Sequence, residues 1–449
     1  CLKLKTKRFF LNLLLIHMEK MVIEGGSPLN GKVKVNGAKN AALPIMAACL
    51  LLKGTSKLKG IPELTDVSTL CKILNELGAD TVKCPDGSLD ITVRDEKNII
   101  APYDLVRTMR ASICVLGPLL GKRGMAQVSI PGGCSIGSRP IDIHIKGVEA
   151  LGAKVEVKDG YIIATGDKMK GSEVYLGGPY GSTVLGTCNV IMAAVLAEGR
   201  TIIDNAACEP EVQDLAHFLN KAGANITAIG ESNLIVDGVD ELNGVEYEII
   251  PDRIEAGTIM IAGAITGGNI TLENDASCYL ASVIDKLREA GVDIETPDAG
   301  VNTPGSVSSG ECTVKSNGDI KPINITTLPY PGMPTDMQAQ FSALLSIANG
   351  TSIITERVFP HRFMHVAELN RLGANIRNDD AIAIIKGVSS LSGTTVMASD
   401  LRASASLIVA GLAAKGVTEI RRLYHIDRGY ERLEDRLTSL GAKIWREKE

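Results

Sequence analysis

The chain has 449 residues, with 47 basic against 52 acidic side chains, a formal charge of −5 and an isoelectric point near 5.8, which excludes a protein built to coat nucleic acid. At 45% apolar and 22% charged residues it falls among ordinary globular chains, far from disordered or collagen-like composition. No run approaches the roughly 18 apolar residues of a membrane-spanning helix, because the longest, Ala41 to Leu52, carries Pro44.

In chain order the first feature is the lead of residues 1–20, where Lys and Arg flank a short apolar run from Phe9 to Ile16. Asn12 interrupts that run and no small-residue cleavage site follows before Gly25, so the lead reads as an extension outside the fold rather than a signal peptide. Ten cysteines are scattered along the chain without a CxxC pair or a His-rich spacing, which points to reduced thiols in a cytoplasmic protein with no metal site. Length alone suggests about three domains, a prior that an internal repeat overrides.

Such a repeat is present. An amphipathic helix ending in glycine and followed by a strand recurs six times, as LCKILNELGADTV, IHIKGVEALGAKVEV, LAHFLNKAGANIT, ASVIDKLREAGVDIE, HVAELNRLGANIR and RLEDRLTSLGAKIW. The stop glycines are Gly78, Gly152, Gly223, Gly291, Gly373 and Gly441, spaced by 74, 71, 68, 82 and 68 residues. Leu70, Ile73, Leu74 and Leu77, like Leu280, Val283, Ile284 and Leu287, follow the spacing of one apolar helical stripe.

A second sixfold series alternates with the first: AKNAALPIMAACLLLKG, MRASICVLGPLLGKRG, TVLGTCNVIMAAVLAEG, DRIEAGTIMIAGAITGG, TDMQAQFSALLSIANG and DLRASASLIVAGLAAKG. These segments are apolar nearly all round and rich in Ala and Gly, which predicts helices buried on every side. Each unit of roughly 70 residues then holds sheets outside and apolar helices inside, an α/β architecture. The polar residues of the second series gather at its helix starts: Lys39, Asn40, Arg110, Thr183, Asp252, Arg253, Asp336, Asp400 and Arg402. Converging helix N-termini, with unpaired N–H groups and partial positive charge, predict a site for a polyanion there.

Individual residues admit plainer readings. Cys134, among Gly132, Gly133 and Gly137 with Arg139 beyond, is either a reactive thiol in a flexible loop or a small filler in a turn. Lys39 is an anion-binding lysine or a solvated one. Asp336 and Asp400 are each either a general base or a carboxylate capping a helix start. Arg428, in YHIDRGYERLED, is a substrate ligand or part of a local salt bridge. Arg110 opens an apolar segment and requires an anionic partner or solvent. The histidines and the C-terminal charge run read as surface.

Taken in order, NGAKNAALPIMAA, TMRASI, PGGCSIGSRPIDIHI, PDRIEAGT, PTDMQAQF, RFMHVAELNRLGA, DLRASASL and YHIDRGYERLED resemble the enolpyruvyl transferase family, and within it the members that use UDP-N-acetylglucosamine. The resemblance runs from Met21 to Arg446 and omits an irregular stretch at residues 297–322. It implies the enolpyruvyl transferase fold, an inside-out α/β barrel of two domains with three repeats each: an inserted domain of residues 39–250, carrying the Cys134 loop, and a second domain of residues 21–38 plus 251–449. It also implies transfer of the enolpyruvyl group of phosphoenolpyruvate to the 3-hydroxyl of UDP-N-acetylglucosamine, at the first committed step of peptidoglycan synthesis. Phosphate is released. No cofactor is implied, and the expected partners are these two small molecules, without nucleic acid or membrane.

Carried over residue by residue, the resemblance makes Cys134 the acid that protonates phosphoenolpyruvate and Asp336 the base for the sugar hydroxyl. Lys39, Arg139 and Arg428 become the phosphate clamp, with Asn40, Arg110, Asp400 and Arg402 beside it. Asn40, Arg110, Arg139, Pro140, Ile141, Asp142, Ile143, Thr183, Val184, Asp336, Val358 and Arg362 fall at UDP-sugar contacts. The departures are Cys114, in place of a larger side chain, Leu185 in place of a small one, and Cys208 in place of an arginine, all on the nucleotide side. Two other readings stand beside this one: the relative that makes 5-enolpyruvylshikimate 3-phosphate, which lacks the loop cysteine and PTDMQAQF, and a paralogue that binds the UDP-sugar without turnover.

Overall fold

The six stop glycines all adopt a left-handed backbone, with φ between 84° and 110°, a conformation that a side chain resists, and each ends its helix one residue or so after the last turn. The computed structural model describes residues 19–130, 141–274, 276–297 and 310–449. The amphipathic helices are Thr65–Glu76, Asp142–Ala150, Pro210–Lys221, Ala281–Glu289, His365–Arg371 and Leu433–Ser439. Their apolar stripes face inward, as with Leu70, Ile73 and Leu74 or Val283, Ile284 and Leu287.

Among the described residues each helix is tied to one of six four-stranded sheets. In the sheet built on Thr55–Lys59, the strand Leu89–Val93 lies between it and Ala79–Lys83, antiparallel to both, while Glu246–Glu248 adds in parallel at the other edge. The last sheet keeps this arrangement but takes one inner strand from the start of the chain. There Glu19–Glu24 runs antiparallel between Val417–Arg421 and Lys443–Lys448, with Met21 opposite both Ile420 and Arg446. Glu19 and Lys20, assigned by sequence to the extension, are therefore the first residues of a central strand, and Lys20 bonds Glu419 at 2.7 Å.

The second series forms the helices Lys39–Ala48, Leu116–Arg123, Val184–Ala194, Arg253–Ile265, Gln338–Leu345 and Leu401–Ala413, almost wholly buried. Two are shorter than the sequence suggests. Arg110–Val115 is a 3-10 segment before the helix, because Pro118 has no N–H to give the carbonyl of residue 114, and Thr335–Met337 is another, following Pro334. Small residues let the helices touch: a Cβ on Gly117 would lie 2.3 Å from the carbonyl oxygen of Asn189.

Two histidines expected at the surface are core residues. His144 is 3% exposed and its Nδ1 lies 2.9 Å from the Asn189 amide, which also donates to the Ile113 carbonyl and accepts from Gly117 N. His365, 2% exposed, meets the Ser342 hydroxyl at 3.1 Å. Burial pushes both rings down to about 4, so each is a neutral packing group. Nor is the C-terminal charge run merely solvated, because Arg446 holds Asp427 at 2.6 Å and Glu434 at 2.6 Å.

The apolar side chains form two separate cores, one from Ala38 to Ile250 with Tyr279 added, the other from Met21 to Val35 and Ile254 to Ile444. The chain passes between them at Asn36–Ala38 and Ile250–Asp252, and the passages bond to each other: Ala38 N to Ile250 O and Asp252 N to Asn36 O, both 2.7 Å. Gly37 is required there, since a Cβ would sit 1.8 Å from the carbonyl oxygen of Gly60. No helix among the described residues is long and apolar enough to cross a membrane.

Candidate active site

Lys39 is the first residue of its helix, and its side chain is only 12% exposed. It is not solvated. Its Nζ donates to Asp66 Oδ2 at 2.8 Å, and Asp66, in the first turn of Thr65–Glu76, also accepts from Arg428 Nε at 3.0 Å. Arg428 ends the 3-10 segment Leu423–Arg428 of the other core, so one buried carboxylate joins a cation from each side. Burial lowers the Lys39 pKa, Asp66 opposes that, and the charges of Arg402 and Arg428 reinforce it. The local salt bridge anticipated for Arg428 is absent from its described contacts, because neighbouring Asp427 is engaged by Arg446.

Asp336 lies in the turn before Gln338–Leu345, where a capping role was one reading. The carboxylate points elsewhere: Oδ1 accepts from Arg362 Nη1 at 2.6 Å and Oδ2 from Arg402 Nη2 at 2.9 Å. Burial opposes its ionisation, but the two guanidiniums overcome that and hold the carboxyl well below the usual range. Arg402 is 4% exposed and lies over the Tyr430 ring, 5.3 Å from its centre; its Nη1 has no hydrogen-bond partner among the described residues. A buried, unsatisfied guanidinium N–H beside a carboxylate is a donor available to an incoming anion.

For Asp400 the capping reading holds, since Oδ1 accepts from Arg402 N at 2.9 Å and Ala403 N at 3.1 Å. Asp252 caps Arg253–Ile265 in the same way. In the first core, Asn40 follows Lys39 half-buried, and half-buried Arg110 opens its 3-10 segment close enough for its charge to act on His144. Thr183 caps Val184–Ala194 by accepting from Gly186 N at 3.3 Å. Ile141 precedes Asp142–Ala150, whose Asp142 is exposed and Ile143 half-buried; Val184 is also half-buried. Among the departures, Cys114 is fully buried, its thiol pushed up to about 12, and Cys208 is half-buried and also raised, by burial and then by Glu209. Cys134, Arg139 and Pro140 lie outside the described residues.

The structure thus joins Lys39 with Arg428, and Asp336 with Arg362 and Arg402, and the charges of Arg402 and Arg428 both bear on Lys39. Sequence reasoning missed Asp66, which in TDVSTL is indistinguishable from any first-turn acid. It also missed Glu356, whose only signal is an acidic residue between the apolar run SIIT and VF. Glu356 accepts the N–H groups of Val358 at 2.8 Å and Phe359 at 2.9 Å, and so shapes the turn that leads to Arg362.

The family described as EPSP synthase (3-phosphoshikimate 1-carboxyvinyltransferase) matches residues 23–437. The UDP-N-acetylglucosamine 1-carboxyvinyltransferase of Methylacidiphilum infernorum is 51% identical over 432 residues, covering 96% of this chain and 99% of that one. UDP-N-acetylglucosamine 1-carboxyvinyltransferase 2 of Carboxydothermus hydrogenoformans is 52% identical over 430 residues, with 96% and 99% covered. Among solved structures, the enolpyruvyl transferase NikO from Streptomyces tendae superposes with a TM-score of 0.84 at 25% identity, covering 96% of this chain and 100% of that one. An EPSP synthase from Acinetobacter baumannii gives 0.75 at 18% identity over 96% and 100%, a likeness of fold. With a family match over most of its length, relatives half identical over nearly all of it, and the sheets-outside, helices-inside plan in common, the chain belongs to the EPSP synthase family of enolpyruvyl transferases.

Proposed function

We propose that the chain transfers the enolpyruvyl group of phosphoenolpyruvate to the 3-hydroxyl of UDP-N-acetylglucosamine and releases phosphate, the entry step to peptidoglycan. The observation that carries this reading is Asp336, ionised between Arg362 and Arg402 on the side of the second core, within reach of the same field of cations that surrounds Lys39. The half-identical relatives that bear this activity in their names support the same acceptor.

In the proposed reaction the Cys134 thiol delivers a proton to C3 of phosphoenolpyruvate. The sugar oxygen bonds to C2 as its proton passes to Asp336. Loss of a proton from C3 and departure of phosphate then restore the vinyl group. Lys39, Arg139 and Arg428 hold the phosphate, and Arg402 faces the negative charge that builds as the phosphate departs. Residues 39–250 act as one inserted domain that closes on the rest of the chain, turning at Asn36–Ala38 and Ile250–Asp252. Val358 and Arg362 meet the UDP-sugar from one side, with Asn40, Arg110, Ile141, Asp142, Ile143, Thr183 and Val184 on the other. A nucleotide sugar and phosphoenolpyruvate as substrates imply a cytoplasmic reaction.

The test is phosphate release from phosphoenolpyruvate with UDP-N-acetylglucosamine or with shikimate 3-phosphate as acceptor. Turnover with the nucleotide sugar alone is expected. Turnover with shikimate 3-phosphate, or binding of the nucleotide sugar without turnover, overturns the proposal.

A further inference from the structure

Glu356 is fully buried, yet its described hydrogen bonds come only from neutral donors: Thr327 Oγ1 at 2.7 Å and the N–H groups of Val358 and Phe359 on Oε1, and Thr335 Oγ1 at 2.9 Å on Oε2. A carboxylate held inside a protein in this way is costly and is poorly explained by stability. Its geometry explains it better. An ionised carboxylate only accepts, so the single hydroxyl hydrogen of Thr335 is committed to Oε2 and the Thr335 lone pairs face outward. One of them accepts from Arg362 Nη1 at 3.2 Å, and the same Nη1 reaches Asp336 Oδ1 at 2.6 Å. The two hydrogens of that nitrogen are thus shared between Thr335 and Asp336, which fixes the plane of the guanidinium. The other oxygen of Glu356 sets the Val358–Phe359 turn, from which the chain runs on to Arg362.

We infer that Glu356 is a positioning residue for the acceptor side of the reaction: through Thr335 it aims Arg362 at Asp336, and through the turn it sets Val358. The inference rests on the function proposed above. An amide at this position keeps one acceptor for the backbone N–H groups but turns an NH2 toward Thr335. The Thr335 hydroxyl must then swing its hydrogen toward Arg362, donor against donor, while the turn itself survives. The nucleotide sugar is expected to lose its grip and its base alignment, whereas the phosphate-binding cations Lys39 and Arg428, bonded to Asp66, are untouched.

The experiment compares wild type, Glu356→Gln, Thr335→Val, Thr335→Ser and the double variant Glu356→Gln/Thr335→Val, by phosphate release with each substrate varied in turn and by thermal melting. Glu356→Gln and Thr335→Val are each expected to lower kcat/KM for UDP-N-acetylglucosamine by on the order of 100-fold, as expected for a misplaced reacting geometry. The KM for phosphoenolpyruvate should change by less than about threefold, the size of an indirect effect. The double variant should be no worse than the poorer single one, and Thr335→Ser should recover most of what Thr335→Val loses. Losses that multiply in the double variant, equal damage to both substrates, or an unaffected Glu356→Gln overturn the inference. A wild type without turnover removes the functional reading and this inference together, whereas an active wild type with any of those results removes only the inference.

Discussion

Arg428 donates its Nε–H to Oδ1 of Asp66 at 3.0 Å across 362 residues of sequence. The other oxygen of the same carboxylate takes the Lys39 ammonium at 2.8 Å, so Asp66 keeps two cations of different cores from repelling each other before any substrate arrives. Asp66→Asn removes that charge and further weakens the hold of Lys39 on its proton. The expected result is a KM for phosphoenolpyruvate raised by about tenfold or more, the worth of a lost charged contact, with the rise growing as pH increases. Steady-state kinetics at three pH values checks it, and an unchanged KM refutes it.

Lys39 itself gives a pH prediction. Burial lowers its pKa below the ordinary 10.5, so between the lowered value and 10.5 the unfolded chain holds a proton that the folded chain has released. In that window the unfolded state binds more protons, and this group's contribution to stability rises with pH; below it, the penalty for burying the ammonium is present in full. Phosphate binding runs the other way, because the useful form is protonated. The alkaline limb of kcat/KM for phosphoenolpyruvate should therefore fall below the lysine range in the wild type and move beyond it in Lys39→Arg, whose guanidinium does not titrate there. Coincident limbs would show that Lys39 does not set it.

Asp336→Asn should lower kcat by about 10²- to 10⁴-fold, the span of a lost general base. Because the guanidiniums of Arg362 and Arg402 hold this carboxyl well below the usual range, its protonation should leave no acid limb in the wild-type kcat profile at or above pH 3.8, the ordinary aspartate value. A limb that disappears in Asp336→Asn would contradict the electrostatics of the pair.

An epoxide phosphonate such as fosfomycin should alkylate Cys134 in the presence of UDP-N-acetylglucosamine, since that thiol is the proposed proton donor to phosphoenolpyruvate. Intact-mass spectrometry reads the adduct. Cys134→Asp should abolish it and keep measurable turnover, because a carboxylic acid still donates a proton. An adduct that persists belongs to another cysteine.

Glu211, on Pro210–Lys221, and Arg253, opening Arg253–Ile265, form a buried two-point pair of 3.0 and 3.2 Å between elements of the two cores. Glu211→Ala strands a buried guanidinium and should cost about 3–5 kcal/mol. The double variant Glu211→Met/Arg253→Met should recover most of the loss, since apolar partners of similar size avoid desolvating charge. Urea midpoints of the three variants decide it, and an additive double variant would sink the account.

What the sequence revealed was whatever depends on short-range pattern. Leu70, Ile73 and Leu74 declare their helix face by spacing, and Gly78 its end by the backbone that only glycine adopts freely. Lys39, Asp336 and Arg402 were legible as polar residues at the mouths of apolar helices. The pairing of Lys39 with Asp66 was not, because an acid in a first helical turn looks the same whether it faces solvent or a lysine. His144 and His365 misled for a related reason: the Asn189 and Ser342 groups that make their burial tolerable lie 45 and 23 residues away. Arg446 looked like solvated tail charge, although it ties the last strand to Asp427, the neighbour of Arg428.

The position of Glu19–Glu24 in the middle of its sheet bears on how the molecule is made. Both neighbours of that strand, Val417–Arg421 and Lys443–Lys448, come from the far end of the chain. At about 5–20 residues per second, the ribosome takes roughly twenty to eighty seconds to deliver them. During that wait the apolar Met21, Val22 and Ile23 have no partners, while the core between Ala38 and Ile250 is already complete in sequence. Nascent chains should therefore depend on chaperone cover for Glu19–Glu24 until Lys443–Lys448 has emerged, and a stop codon at position 443 should yield aggregates rather than a trimmed enzyme.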